Sequence, residues 1–356
     1  MFSRKTSRML LGGAALLAAT ATSVGATAFG ATPSGAPTGG AGSANPGAQP
    51  ATSRAGYVVA NEGGWLFLVR PDGVRTRLTT SPGRGYAVTD VSADAGRILL
   101  LGADGRTVKV YDVPSKTWSG FTYTAGRVNA TRLSRPTGTA VWIESWSKAR
   151  GEFIERVSTT GASQLVRLAT SHVLPSVDGA TFVATPAEGT QFEVRDNARG
   201  TLVRRLPTPG GRVCGANRLW DASTIQATCT IAPDRIDVFL VPLNGGATKR
   251  LTTHDFAPFG AMEAWSSPRG PIAAQARQDE LDGVGYVTST GGMRPIEPDF
   301  GAGTYQPPLT VVAGTLYLRD APSYDRPATG TWAYDLTTHA VVKLAGGNAA
   351  VVDPLH

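Results

Sequence analysis

Charged side chains are scarce in this sequence: of 356 residues only 34 are Lys or Arg and 27 are Asp or Glu. A coiled coil or helical bundle would need many more charged helix formers, so both are excluded. Histidine and cysteine are scarcer still, at four and two residues. No Cys-x-x-Cys occurs and no His stands near either cysteine, which argues against a zinc or dithiol redox centre. Lysine is thin as well, with six residues against 28 arginines, a bias that beside so much Ala and Gly suggests a high-GC bacterial coding sequence. The one long apolar run, Met9 to Ala19, falls well short of the roughly 20 residues a membrane-spanning helix requires. What the chain has in quantity is Gly, 43 residues, and Pro, 24, the punctuation of short segments joined by turns. Its apolar fraction of 41% rules out wholesale disorder and is enough for a packed core.

The front end reads as an export segment. Arg4, Lys5 and Arg8 precede the apolar run, and small residues follow it to Ala26-Thr27-Ala28, the three-part pattern of a secretory signal peptide over residues 1–28. Cleavage is expected after Ala28, with Ala26 the alternative. The absence of Cys near that point disfavours a lipid anchor, and Arg4-Lys5 is not a twin-arginine pair, which favours the general secretory route. Residues 29–55 are nearly all Ala, Thr, Pro, Ser and Gly, with too few large apolar groups to offset ordering entropy, so a flexible tether is expected there. Thr32, Thr38 and Thr52 are candidate glycosylation sites within it. Without residues 1–28 the net charge falls from +7 to +4, and Arg204-Arg205 and Lys249-Arg250 are the only adjacent basic pairs left. Phosphate neutralisation needs a stripe of clustered cations, so nucleic acid is not an expected partner. Cys214 and Cys229 both fall in strand-like flanks, and an exported chain should join them in a disulfide.

Residues 56–356 repeat. A hairpin ending in an apolar residue recurs at Val69–Leu78, Tyr111–Phe121, Val157–Leu168, Val194–Leu206, Val241–Leu251, Val287–Ile296 and Tyr334–Leu344. The terminal residues lie 43, 47, 38, 45, 45 and 48 positions apart, the period of a four-stranded propeller blade. A second hairpin precedes most copies, as in Asp90-Val-Ser-Ala-Asp-Ala-Gly96 before Ile98–Leu101, with Gly and Asp where a tight turn needs them. The first copy lacks an inner strand and the chain end offers one too many. Ala349–Asp353 is therefore expected to complete blade one and close an all-β, seven-bladed ring, hiding strand edges.

The Ser-x-Asp/Pro-x-Gly turn before an apolar strand, with Arg-Leu-Thr-Thr at Arg77–Thr80 and Arg250–Thr253, resembles the TolB-like, WD-related β-propeller repeat. The resemblance spans residues 57–345; Ala264–Gly270 comes nearest the Trp-Ser-Pro-Asp-Gly form, with Arg269 in place of the Asp. It implies a propeller fold. The family's small N-terminal α/β domain has no counterpart here, so a Tol-Pal role does not carry over.

Chemistry is harder to find. The histidines, His172, His254, His339 and His356, fall in different blades or at the terminus, and no carboxylate keeps a ligand spacing with any of them. His254 and His339 sit in turns and are expected to be solvated. Gly-x-Ser-x-Gly and phosphate loops are missing. Asp279, Glu280 and Asp282 suit calcium by type, but a solvated loop is the simpler expectation. Glu144, Glu152 and Glu155 are carboxylates for a glycosidase, yet Glu144 closes one strand while the others lie on the outer hairpin, which makes a shared substrate improbable. Trp65, Trp142, Trp265 and Trp332 are expected in the core, Trp146 and Trp220 at the surface. Propeller ligands generally meet the inner strands, where this chain places Asp90, Arg132, His172, Arg218, Glu263 and Gln306 around a central channel. These six are the candidate ligand residues; the bland alternative is a merely wet tunnel. The reading is a monomeric, non-catalytic binding module of the cell envelope, without metal or other cofactor, taking an envelope protein, a small polar ligand or a glycan. The alternative is a propeller hydrolase, lactonase-like or glycan-cleaving, using the same channel.

Overall fold

The computed structural model describes residues 54–356 apart from 84, 171, 187, 254–255, 257–258, 276–282, 297–303, 306–309, 322–329, 348 and 356. The expectations for export segment and tether therefore fall outside the described residues. Within them, the short alternating segments form seven antiparallel sheets in sequence order, a seven-bladed β-propeller. The inner strands of blades two to six are Tyr86–Val91, Arg127–Leu133, His172–Pro175, Cys214–Asp221 and Ala261–Trp265. Blade seven places Thr304–Tyr305 and Thr310–Val312 along one strand, Thr315–Ala321. Blade one is closed by the chain's own end: Ala349–Val351 pairs with Val58–Ala60, so N- and C-terminal segments share one sheet. The pairing continues past the strand, where Val352 N–H donates to Tyr57 O at 2.6 Å and Gly56 N–H to Val352 O at 2.8 Å.

The strands alternate, and the apolar side chains of neighbouring blades meet. One buried cluster fills each of the seven junctions, from Val59, Leu66 and Ile98 between blades one and two to Val58, Tyr317 and Leu344 between blades seven and one. Each blade thus depends on both neighbours, as in any stack of repeats that cannot bury a face alone.

The hairpin turns show why the repeat carries Ser, Asp and Gly. In blade two Arg97 N–H donates to Ser92 Oγ at 2.8 Å, Ser92 Oγ–H to Asp94 at 2.6 Å, and Gly96 N–H to Asp94 at 2.9 Å. Blade four repeats this with Ser176, Asp178 and Thr181. Gly179 has φ +70°, and a Cβ there would stand 2.0 Å from Arg135 O, so no other residue fits. Cys214 and Cys229 are direct cross-strand partners in blade five and form the expected disulfide.

Candidate functional site

The inner strands carry the site, and they are not regular. Pairing slips between Val88 and Asp90, between Val128 and Ala130, between Ala216 and Arg218, and between Ala261 and Glu263. An extra residue bends a strand and re-aims the side chains after it. Three of those slips stand immediately before Asp90, Arg218 and Glu263. The skipped residues tie the blades together: Thr89 Oγ1 lies 2.9 Å from Thr131 Oγ1, and Asn217 Nδ2 donates to Met262 O at 3.1 Å. Asp90, Arg132, His172, Arg218 and Glu263 are all buried, each on the inner strand of its own blade. Gln306 lies outside the described residues.

Between blades three and four a carboxylate and an imidazole satisfy one another. Glu144, on the second strand of blade three, accepts from His172 Nδ1 at 3.0 Å and from Val173 N–H at 3.1 Å. Arg132 Nε stands 3.6 Å from the same carboxylate, and its Nη2 lies 3.4 Å from His172 Nε2. The imidazole thus faces an acceptor at Nδ1 and a donor at Nε2, which fixes its orientation. Burial pushes the Glu144 carboxyl up, but His172, Arg132 and the Val173 amide together hold it below the usual range. At the rim of this junction Glu152 is raised by burial and by the Glu144 charge. Opposite it in register stands Trp146, 45% exposed.

Asp90 is satisfied in a similar way. It accepts from the Val91 and Leu133 amides, each at 2.7 Å, and pairs with Arg135 Nη2 at 3.4 Å. Burial nevertheless outweighs Arg135 and both amides and leaves its carboxyl raised. Asp353, delivered by the closing strand, accepts from Thr310 Oγ1 at 2.8 Å and Leu355 N–H at 3.0 Å, and burial pushes it up to about 6.

Between blades five and six the accounting is different. Arg218 is 1% exposed, and its guanidinium lies over the Trp265 ring at 4.7 Å. Its nearest carboxylate oxygen, Glu263 Oε2, is 3.6 Å from Nη1. That exceeds the length of an N–H···O bond. Among the described residues none of Nε, Nη1 and Nη2 has a hydrogen-bond partner, and neither does Glu263 Oε1. Burial, helped by the charge of Arg132, lowers Arg218 to about 10 against the pull of Glu263 and Asp353. Burial likewise raises Glu263 against the pull of Arg218, Arg132 and His172. Groups from four blades and the chain end therefore act on one another around the centre of the ring.

The five described sequence candidates are thus brought together, while three partners were overlooked. Glu144, set aside for its place at the end of a strand, is the hub of the His172 network. Its signal was an acid closing the apolar run Ala140-Val-Trp-Ile, in a strand buried from Ala140 to Ser145. Asp353, beyond the closing strand, and Arg135, in the Ser134–Gly138 turn, carry no such signal. Trp220 is a correction: it is only 9% exposed and packs with Leu251 and Phe256 at the junction of blades five and six. Trp65 and Trp332 are half-buried beneath Arg77 and Lys343 rather than full core. Glu155 belongs elsewhere, bound by Tyr123 Oη at 3.0 Å and Arg167 Nε at 2.8 Å. His339 is exposed in a turn, while His254, His356, Asp279, Glu280 and Asp282 lie outside the described residues. Among the described residues no three His, Cys, Asp or Glu are placed to hold a metal ion, and no helix is long and apolar enough to cross a membrane.

No protein-family model matches the chain, and no curated protein matches it significantly. Solved structures do. The dihydro-heme d1 dehydrogenase NirN, in complex with DHE, is 13% identical, with a TM-score of 0.51 over 85% of this chain and 76% of that one. A putative TolB from Agrobacterium tumefaciens is 15% identical over 85% of this chain and 93% of its own, with a TM-score of 0.44. A puromycin-hydrolyzing peptidase from Mycobacterium tuberculosis is 16% identical over 84% of this chain, with a TM-score of 0.48. The chain spans only 54% of that peptidase. At these identities the likeness is one of fold.

Proposed function

We propose that this chain is an exported β-propeller that acts as a non-catalytic binding module at the cell envelope, and that it takes a small polar ligand at the centre of its ring. The observation that carries the reading is Arg218, a buried guanidinium with none of its nitrogens hydrogen-bonded among the described residues. Buried donors are nearly always satisfied, and Arg218 leaves all three of its nitrogens open, a gap that a bound water or ligand would fill. The signal-like pattern of residues 1–28, the tether-like composition of 29–55 and the Cys214–Cys229 disulfide support export to an oxidising compartment. A thermal-shift screen of polar metabolites and envelope glycan fragments tests the reading. Hits should raise the melting temperature of the wild type and lose that effect in Arg218→Met. A screen without hits, or hits unaffected by the substitution, would contradict it.

A second reading, a propeller hydrolase, is favoured by one observation. Glu144 is held in its ionised form while burial drives Glu263 toward the protonated one, the division of labour an acid and a base require. Turnover of a lactone or glycan in a hydrolase panel, abolished by both Glu144→Gln and Glu263→Gln, would establish this alternative over the first.

A further inference from the structure

We infer that the group bound at Arg218 is a small organic acid bearing a hydrogen-bond donor on the carbon next to its carboxylate, as in an α-hydroxy or α-amino acid; this rests on the reading of the centre as a binding site. Other carboxylates nearby are already engaged. Glu144 serves His172 and Val173, and Asp353 serves Thr310 and Leu355. Arg218 is left with one carboxylate oxygen at 3.6 Å, and the charge of Arg132 opposes its own. The centre is thus short of one anionic acceptor.

Shape narrows the choice. A guanidinium offers its donors in its own plane, a fork that matches the two oxygens of a carboxylate. The guanidinium carbon lies over the Trp265 ring at 4.7 Å, a contact that does not take up its N–H donors. Beside the fork stands Glu263, whose Oε1 has no partner among the described residues. A bare anion such as acetate would answer Arg218 and leave Glu263 Oε1 unmet, whereas a neutral polyol would do the reverse. A carboxylate with a hydroxyl or amine on the adjacent carbon meets both groups at once.

Calorimetric titration of the purified folded protein separates these cases. The probes are lactate and alanine, which carry both features, acetate, which lacks the donor, inorganic phosphate, an anion without a carboxylate, and glycerol, which lacks the anion. Lactate or alanine should bind at least about tenfold more tightly than the other three, the worth of one hydrogen bond to a charged group. Glu263→Met should erase that ratio, and Arg218→Met should abolish acid binding altogether; circular dichroism shows whether each variant folds, and if one does not, the wild-type ratios decide. Acetate or phosphate binding as tightly as lactate and alanine would overturn the inference, and so would binding of glycerol alone, while either leaves the binding-module reading standing. No binding of any probe also overturns it, and the wider ligand screen then reports whether the module reading falls with it.

Discussion

The two sides of the ring's centre hold the same kinds of residue to opposite effect. Between blades three and four, Arg132, Glu144 and His172 close on each other and on the Val173 amide. Between blades five and six, Arg218 and Glu263 meet at 3.6 Å and leave donors and an acceptor open. A buried polar group that is fully paired rigidifies the fold, whereas one left unpaired costs stability unless a ligand supplies its partner. The contrast assigns a structural task to the first cluster and a receptive one to the second. Burial alone would not have separated them, because both are almost fully shielded from solvent.

The largest expected effect bears on the frame both clusters share. Deleting residues 347–356 removes the pairing of Ala349–Val351, the packing of Val352 and the carboxylate of Asp353. It also bares the inner edge of blade one. The cooperative melting transition should be lost or fall sharply; an unchanged melting curve would show that closure matters little. Glu144→Ala comes next. It strands a buried guanidinium and an imidazole, and a loss of about 3–5 kcal/mol is expected in chemical denaturation. A loss below about 1 kcal/mol, the level of an exposed pair, would remove the structural reading of that cluster.

A smaller effect concerns pH. The folded Asp353 carboxyl stands at about 6, above its ordinary 3.8, so the folded state binds its proton more tightly than the unfolded chain. Its contribution to stability is full below about 4 and is lost as pH rises through about 6. Glu144, held below its ordinary value of 4.5, contributes in the opposite sense, with stability lost as pH falls. Asp353→Asn should therefore flatten part of the decline in stability between about pH 4 and pH 6, measured by urea titration across that range. An undiminished decline would mean that Asp353 is not its source.

Much of the frame was legible in the sequence because propeller blades are local. Ser92, Asp94 and Gly96 sit in a single turn and their hydrogen bonds are made within a few residues, so spacing alone revealed hairpins, period and closing strand. Inner-strand positions followed from the period, which is how Asp90, Arg132, His172, Arg218 and Glu263 could be picked out. The pairings among them were not legible, because each crosses between strands far apart in sequence. Glu144 meets His172 from 28 positions away, and Asp353 meets Thr310 from 43. The slips before Asp90, Arg218 and Glu263 were equally hidden, since Thr89, Asn217 and Met262 look like ordinary strand residues. Trp220 misled for a related reason: polar neighbours in sequence gave no hint that Leu251 and Phe256 would cover it.

The division between a closed and an open cluster is tested most directly by the melting temperature of Arg218→Met without ligand, measured beside the wild type. Arg218 meets Glu263 only at ion-pair distance and makes no hydrogen bond among the described residues, so its replacement by an apolar chain of similar reach should cost clearly less than the about 3–5 kcal/mol expected of Glu144→Ala. A fall as deep as that of Glu144→Ala would mean that Arg218 already holds the fold together, and the receptive site would be contradicted.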